Sequence, residues 1–277
     1  MKLFRKLLLT LYLSFFLPGF GYGREVLAFP DAEGFEAYTQ GGRGGKVLYV
    51  THLEDEGPGS LRWAIEQEDP RTVVFKVSGT IEPKERLTIA QPFITIVGQT
   101  APGDGIYLKE ETLRIEANEV IIRYIRVRLG DDLYGEGSKQ GKDAIDISSG
   151  ENIIIDHCSA NWSLGEVLSS STRNPSLNRI TVQWCFITEG LNVDRHEFGF
   201  LIRGTRGVQY SYLYNLYAHN QGRSKPRPGN YDSNPHNEDP EGLLLEFRNN
   251  VIHNWGGWLY LAGRVSQQHN MSYFDIS

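Results

Sequence analysis

The stretch "NIIIDHCS" at residues 152–159 returns 27 residues later as "RITVQWCF" at residues 179–186. Both are short runs rich in β-branched residues with period-two alternation, the pattern of half-buried strands. Comparable runs flank them: "FITIVGQ" from 93, "VIIRYIRVR" from 120, "GVQYSYLYN" from 207 and "LLEFRNNVI" from 244. Aligned on this pattern, Val97, Tyr124, His157, Trp184, Tyr210 and Phe247 share one position, at steps of 27, 33, 27, 26 and 37 residues. A unit of this size that lengthens only by loops describes a stack of coils rather than a sandwich.

No sustained 3.6-residue hydrophobic pattern separates the runs, which excludes helical repeats and βαβ folds. One short strand per turn, stacked in register, predicts an all-β, single-stranded parallel β-helix, right-handed by the general crossover preference of parallel strands. Parity places Ile153, Ile155 and His157 on the same inward face as Ile180, Val182 and Trp184, followed by Val208 and Tyr210, then Leu245 and Phe247. His157 is therefore expected to be a hydrogen-bonded core residue without chemistry. Cys158 and Cys185 fall on matching rungs about 4.8 Å apart, long for a disulfide, so free thiols are expected. In "GPGSLRWAIEQ", Ser60 is placed to cap a short helix whose Leu61, Ala64 and Ile65 face the open N-terminal end of the coil. No such cap is visible near "NMSYFDIS", so the last coil reads as incomplete.

The chain has 277 residues, 40% hydrophobic content and a formal net charge of −6. That is enough apolar material for a substantial core. Lys2, Arg5 and Lys6, the apolar run Leu7 to Phe16 and the small residues Gly21 to Gly23 make residues 1–23 a signal peptide, which predicts a secreted or extracytoplasmic location. Residues 24–277 then form one β-helix domain. A monomer is expected, with no membrane association after cleavage. Zinc-type Cys/His clusters and phosphate-binding glycine loops are absent.

Charged loops interrupt the repeats. "GDDLYGEGSKQGKDAIDIS" carries Asp131, Asp132, Glu136, Asp143 and Asp146. "SANWSLGEVLSSS" carries Glu166, and "EGLNVDRHEF" carries Glu189, Asp194 and Glu197. Carboxylates on neighbouring coils converge on one flank, and several oxygen ligands together suit Ca2+. A fourth loop, "HNQGRSKPRPGN", holds Arg223, Lys225 and Arg227, with Pro226 and Pro228 limiting backbone freedom. Cations beside carboxylates suit an anionic polymer. The sequence pI of about 5.7 offers no broad basic surface for nucleic acid, which leaves an acidic polysaccharide.

Six segments in order carry a family resemblance: "GFEAYTQGGRGGKVLYVTHLEDEGPGSLRWAI", "VIIRYIRVRLGDD", "DAIDI", "NIIIDHCSANWS", "ITVQWCFITEGL" and "FRNNVIHNW". Together, from about Gly34 to Trp258, they resemble the pectate lyases of polysaccharide lyase family one. The resemblance implies a right-handed parallel β-helix, export, a Ca2+ cofactor and eliminative cleavage of polygalacturonate to 4,5-unsaturated products. It also implies that Asp143 binds the catalytic calcium. Gly165 stands where relatives carry an aspartate, with Glu166 beside it, so Glu166 and Glu189 are the further metal candidates. Arg223 is similar to the family's catalytic arginine and Arg227 to its substrate-binding arginine. The chain reads Arg-Ser-Lys-Pro-Arg, one residue longer than the family's Arg-x-Pro-Arg, so Lys225 shares the catalytic and substrate-binding candidacy. Two other functions fit the same residues: a pectin or other uronan lyase with little Ca2+ dependence, and a non-catalytic β-helix that binds acidic polysaccharide.

Overall fold

The computed structural model describes residues 26–132, 141–171, 177–192, 198–204, 207–223, 229–230 and 243–256. The expected signal peptide, Lys225, Arg227 and the end of the last coil lie outside these residues. Among the described residues, no helix is long and apolar enough to cross a membrane.

Parallel strands form three sheets that the chain visits in turn. Sheet A has eight described strands, running from Lys46–Val50 and Arg71–Phe75 through Val120–Arg123, Glu151–Asp156 and Asn178–Gln183 to Gln209–Leu213 and Leu244–Arg248. Sheet B has seven, from Gly79–Ile81 through Ile125–Arg128, Ser159–Asn161 and Phe186–Thr188 to Val251–His253. Sheet C has six, among them Leu87–Ile89, Ile145–Ile147, Glu166–Ser171, Phe198–Gly204 and Gly229–Asn230. The parallel β-helix read from the repeat is therefore present. A full coil carries one strand from each of the three sheets rather than one strand alone, and most strands of sheets B and C are only three or four residues long, too short to show an alternation of their own in the sequence.

Register corrects the sequence alignment. Ile153 pairs with Ile180, then Tyr210 and Leu245, while Ile155 pairs with Val182, then Tyr212 and Phe247. Val97 pairs with Arg123, one residue short of Tyr124. These inward aliphatic and aromatic side chains belong to one core running through the coils, each isoleucine contributing on the order of 1.5–3 kcal/mol. His157 and Trp184 do not join them. Together with Tyr124, Tyr214 and Asn249 they occupy the corner between sheets A and B, with φ of 51° to 58°. That left-handed residue breaks the alternation and turns its side chain outward. Tyr124, His157, Trp184 and Tyr214 consequently stack outside the core, with ring centroids 4.7, 6.1 and 4.5 Å apart. His157 is half-buried, and its Nδ1 lies 2.9 Å from the buried Asp156 carboxylate, itself held by Arg123.

The next residue in the corner returns inward and links coils. Asn215 Oδ1 accepts the Cys185 N–H at 2.9 Å, and Asn250 Oδ1 accepts the Asn215 N–H at 2.8 Å. One rung earlier Cys158 Sγ takes the same place, 3.5 Å from the Ile125 N–H. Both cysteines are free and buried, and burial pushes the Cys185 thiol upward.

The start of the described chain runs as a strap across the outer face of sheet A. Its backbone N–H groups donate to outward side chains on three of the coils: Phe35 to Ser211, Glu36 to Thr181 and Gly42 to Thr95. A Cβ on Gly42 would lie 1.8 Å from the Arg71 carbonyl oxygen, so only glycine permits this approach. The helix Leu61–Ile65 forms as expected, with Ser60 accepting the Trp63 N–H, and its Leu61, Ala64 and Ile65 enter the core. Arg71 is fully buried and stitches this cap to the first coils. Its guanidinium donates to the carbonyls of Ala64, Ile65, Asp69, Gln91 and Pro92.

Two outcomes follow from this packing. Arg71→Met strands several buried carbonyls and is expected to lower unfolding stability by about 3 kcal/mol or more in urea titrations. Glu36, in the strap, is buried beside Arg179, and burial pushes its carboxyl up to about 8 from 4.5 despite that partner. The folded state then holds a proton that the unfolded chain releases. Stability from this site is expected to fall as pH rises from about 4.5 to about 8, and Glu36→Gln should flatten that slope.

Candidate functional site

Three of the expected residues meet where the strands of sheet C begin. Asp143 lies two residues before Ile145–Ile147, and Glu166 opens Glu166–Ser171 on the next coil. Phe198 pairs with Glu166 one coil further, and Gly222 pairs with Phe198 one coil beyond that, which brings Arg223 into the column. Parallel coils rise about 4.8 Å per turn. Arg223 spans the intervening coil by laying its guanidinium over the Phe198 ring, 4.3 Å from the centroid, and ion-pairs with Glu166. Both partners are shielded from solvent, so the pair is stronger than an exposed one.

Asp143 is fixed from two sides. Its Oδ1 accepts the Glu166 backbone N–H at 2.8 Å, and its Oδ2 accepts the Ser169 hydroxyl. Ser169 Oγ also lies 3.3 Å from Asp146 Oδ1. Burial, and then the Asp143 charge beside it, raise the Asp146 pKa. Beside Asp143, Lys142 Nζ reaches both carboxylate oxygens of Glu111 on the flanking coil at 2.8 and 2.7 Å, so that pair is internally neutral. Thr112 Oγ1 donates to the Asp143 carbonyl at 2.7 Å.

Glu189 is not brought to this cluster by any described contact. It sits in the turn after Phe186–Thr188, exposed, and its Oε2 accepts the Trp162 indole N–H at 3.1 Å. Asp132 pairs with Lys109 at 3.0 Å. Glu136, Asp194, Glu197, Lys225 and Arg227 fall outside the described residues. Sequence reasoning passed over Ser169 and Phe198. A signal for Ser169 existed: Asp146 and Ser169 are separated by 23 residues, as are Asp143 and Glu166.

The donor set bears on whether calcium fits. Ca2+ takes six to eight oxygens. Among the described residues, no group of three or more His, Cys, Asp or Glu side chains is arranged to hold a metal ion. Asp143 and Glu166 supply two carboxylates, so an ion held there would need its remaining oxygens from water and an acidic ligand rather than from an all-protein cage. Gly165 explains why a third carboxylate is missing between them. A Cβ there would lie 2.5 Å from the Gly141 carbonyl oxygen and 2.6 Å from Asp143 Oδ1. Gly165→Ala is expected to push Asp143 aside and lower stability by about 1–3 kcal/mol, read from denaturant melts of the two proteins.

No protein-family model matches the chain. Among curated proteins it is 43% identical over 251 residues to the probable pectate lyase C of Emericella nidulans, covering 90% of this chain and 53% of that protein. It is 41% identical over 253 residues to the probable pectate lyase C of Neosartorya fischeri, covering 91% and 53%. The chain thus spans about half the length of the curated relatives it matches. In fold it matches a Bacillus pectate lyase solved in complex with trigalacturonate, with a TM-score of 0.51, 16% identity, and coverage of 88% of this chain and 94% of that one. At about 40% identity over nine tenths of its own residues and about half of theirs, this chain is similar in sequence to the pectate lyase C proteins, in line with the resemblance carried by its motifs.

Proposed function

We propose that the Asp143–Glu166–Arg223 cluster is the centre of a polysaccharide lyase site that cleaves polygalacturonate by β-elimination. The observation that carries this reading is the convergence, on three coils of one sheet, of two carboxylates and an arginine held over Phe198. Homology to proteins named pectate lyase C supports it. The expected leader at residues 1–23 would deliver the chain outside the cytoplasm, where such a polymer is found.

Elimination removes the proton from C5 of a galacturonate, forms the C4–C5 double bond and expels the C4 glycosidic oxygen, which takes a proton from solvent. The C5 proton is weakly acidic while the adjacent carboxylate keeps its charge. Ca2+ held by Asp143 and Glu166 would neutralise that carboxylate, as a Lewis acid does. Ser169 and the Glu166 N–H keep the Asp143 oxygens oriented throughout. Arg223, paired with a carboxylate, is held cationic and supplies positive charge to the developing anion. A guanidinium gives up a proton poorly, whereas a desolvated lysine does so readily. Lys225, two residues on, is thus the better base, and Arg227 is left to bind a neighbouring uronate.

Gly165 favours a second reading. With no room for a third carboxylate, the site would depend on calcium less than a fully acidic one, and would accept a methyl-esterified or different uronan.

Ultraviolet absorbance of the unsaturated product, followed on polygalacturonate with Ca2+ or with chelator, tests both. Asp143→Ala and Arg223→Ala are each expected to lower kcat by about 100-fold or more. Absence of product with Ca2+ present overturns the lyase reading, and undiminished turnover in chelator selects the second. If Arg223→Ala remains active while Lys225→Ala is inactive, Arg223 binds substrate and takes no part in the chemical step.

A further inference from the structure

The outer face of sheet B forms a long groove of about 1340 Å3, and neither Asp143, Glu166 nor Arg223 lines it. Alternation in the sheet B strands turns two rows of side chains into it. Arg126, Ser159 and Phe186 make one row on successive coils, and Arg128, Asn161 and Thr188 make the next. The outward corner stack, including Tyr124 and Trp184, forms one rim.

Charge sets this groove apart from the rest of the molecule. On a chain of net charge −6, it is lined by Arg126, Arg128 and three histidines against a single carboxylate, Asp104. Neither arginine pairs with a carboxylate among the described residues. Arg128 instead lies between the Tyr107 and Trp162 rings, 5.6 and 5.3 Å from their centroids. The floor also holds polar atoms without partners among the described residues. Asn161 is 93% buried, its Nδ2 donates to Thr188, and its Oδ1 accepts from none of the described residues. Ser159 Oγ and Arg128 Nε are likewise buried and unpartnered. Groups of this kind ordinarily find a partner, and three of them in one groove ask for a ligand rich in hydroxyls and negative charge.

We propose that this groove is a second carbohydrate site that binds an acidic polysaccharide, a uronan, along the coil axis and apart from the lyase cluster. Arginine forks recognise carboxylates, which a uronan presents on every sugar. Its hydroxyls both donate and accept, matching Ser159 and Asn161. The exposed Phe186 and Trp184, 57% and 46% accessible, offer apolar surface to the C–H faces of the rings. Two arginines in a groove whose remaining lining is largely apolar and aromatic fit a polymer of spaced single charges better than a polyphosphate.

The site stands whether or not the lyase reading does, and one titration separates the two. The full chain carrying Asp143→Ala, which leaves an oligogalacturonide uncleaved, is titrated calorimetrically with that oligomer, with and without Arg126→Ala/Arg128→Ala. Two sites per chain are expected, one of them weakened about tenfold or more by the double substitution, equivalent to about 1.4 kcal/mol. Loss of the only site under the double substitution would retain the groove and remove the lyase cleft. Arg126→Lys/Arg128→Lys should keep part of the affinity, and added salt should weaken it. In the chain with Asp143 intact, the double alanine substitution should leave turnover of a short oligogalacturonide unchanged. Unaltered binding by the double variant, or equal binding of neutral dextran or of polyphosphate, overturns the proposal. A melting temperature matching the parent shows that any loss is not unfolding.

Discussion

Each coil must turn sharply from sheet A into sheet B, and in five successive coils, from Tyr124 to Asn249, a single left-handed residue does this. For a residue with a side chain that conformation costs roughly 1–2 kcal/mol. The corner here is occupied by Tyr124, His157, Trp184, Tyr214 and Asn249, none of them glycine. Stacking of the four rings offsets part of that cost, since aromatic pairs contribute on the order of 0.5–1.5 kcal/mol beyond burial. The residue after the corner then returns inward, where the carboxamide oxygens of Asn215 and Asn250 accept backbone N–H groups of the preceding coil. A regular corner keeps the coils in register, and register fixes everything else.

The two exposed weaknesses of a solenoid, its open end and its flat outer faces, are handled by the same N-terminal segment. The cap helix closes the core, with Arg71 binding it to the first coils. The strap covers the outer face of sheet A through side chains such as Thr95, Thr181 and Ser211, whose hydroxyls face out by strand alternation. Sheet B has no such cover among the described residues, and its outward arginines and aromatics remain accessible.

The Asp143–Glu166–Arg223 cluster is a product of coil geometry. A separation of 23 residues is one coil at this level, so Asp143 meets Glu166 and Asp146 meets Ser169. Arg223 lies two coils from Glu166 and reaches it because Phe198 supports the guanidinium between them. Gly165 is required by the closeness of Gly141 and Asp143, which leaves no room for a side chain at that position.

The sequence by itself determined the coil repeat, the inward aliphatic rows, the capping helix and the membership of Asp143, Glu166 and Arg223 in one region, because strand alternation, helix capping and spacing are local signals. Only the tertiary structure decided which side His157 and Trp184 face, since one left-handed corner residue reverses the parity that alternation extrapolates. It also decided that Glu189 binds Trp162 in another turn, that Gly165 has no room for a side chain, and that Arg126, Arg128, Ser159 and Asn161 share a groove. These depend on contacts between coils, where residues 23 to 35 positions apart become neighbours and loop length, not sequence pattern, sets who meets whom.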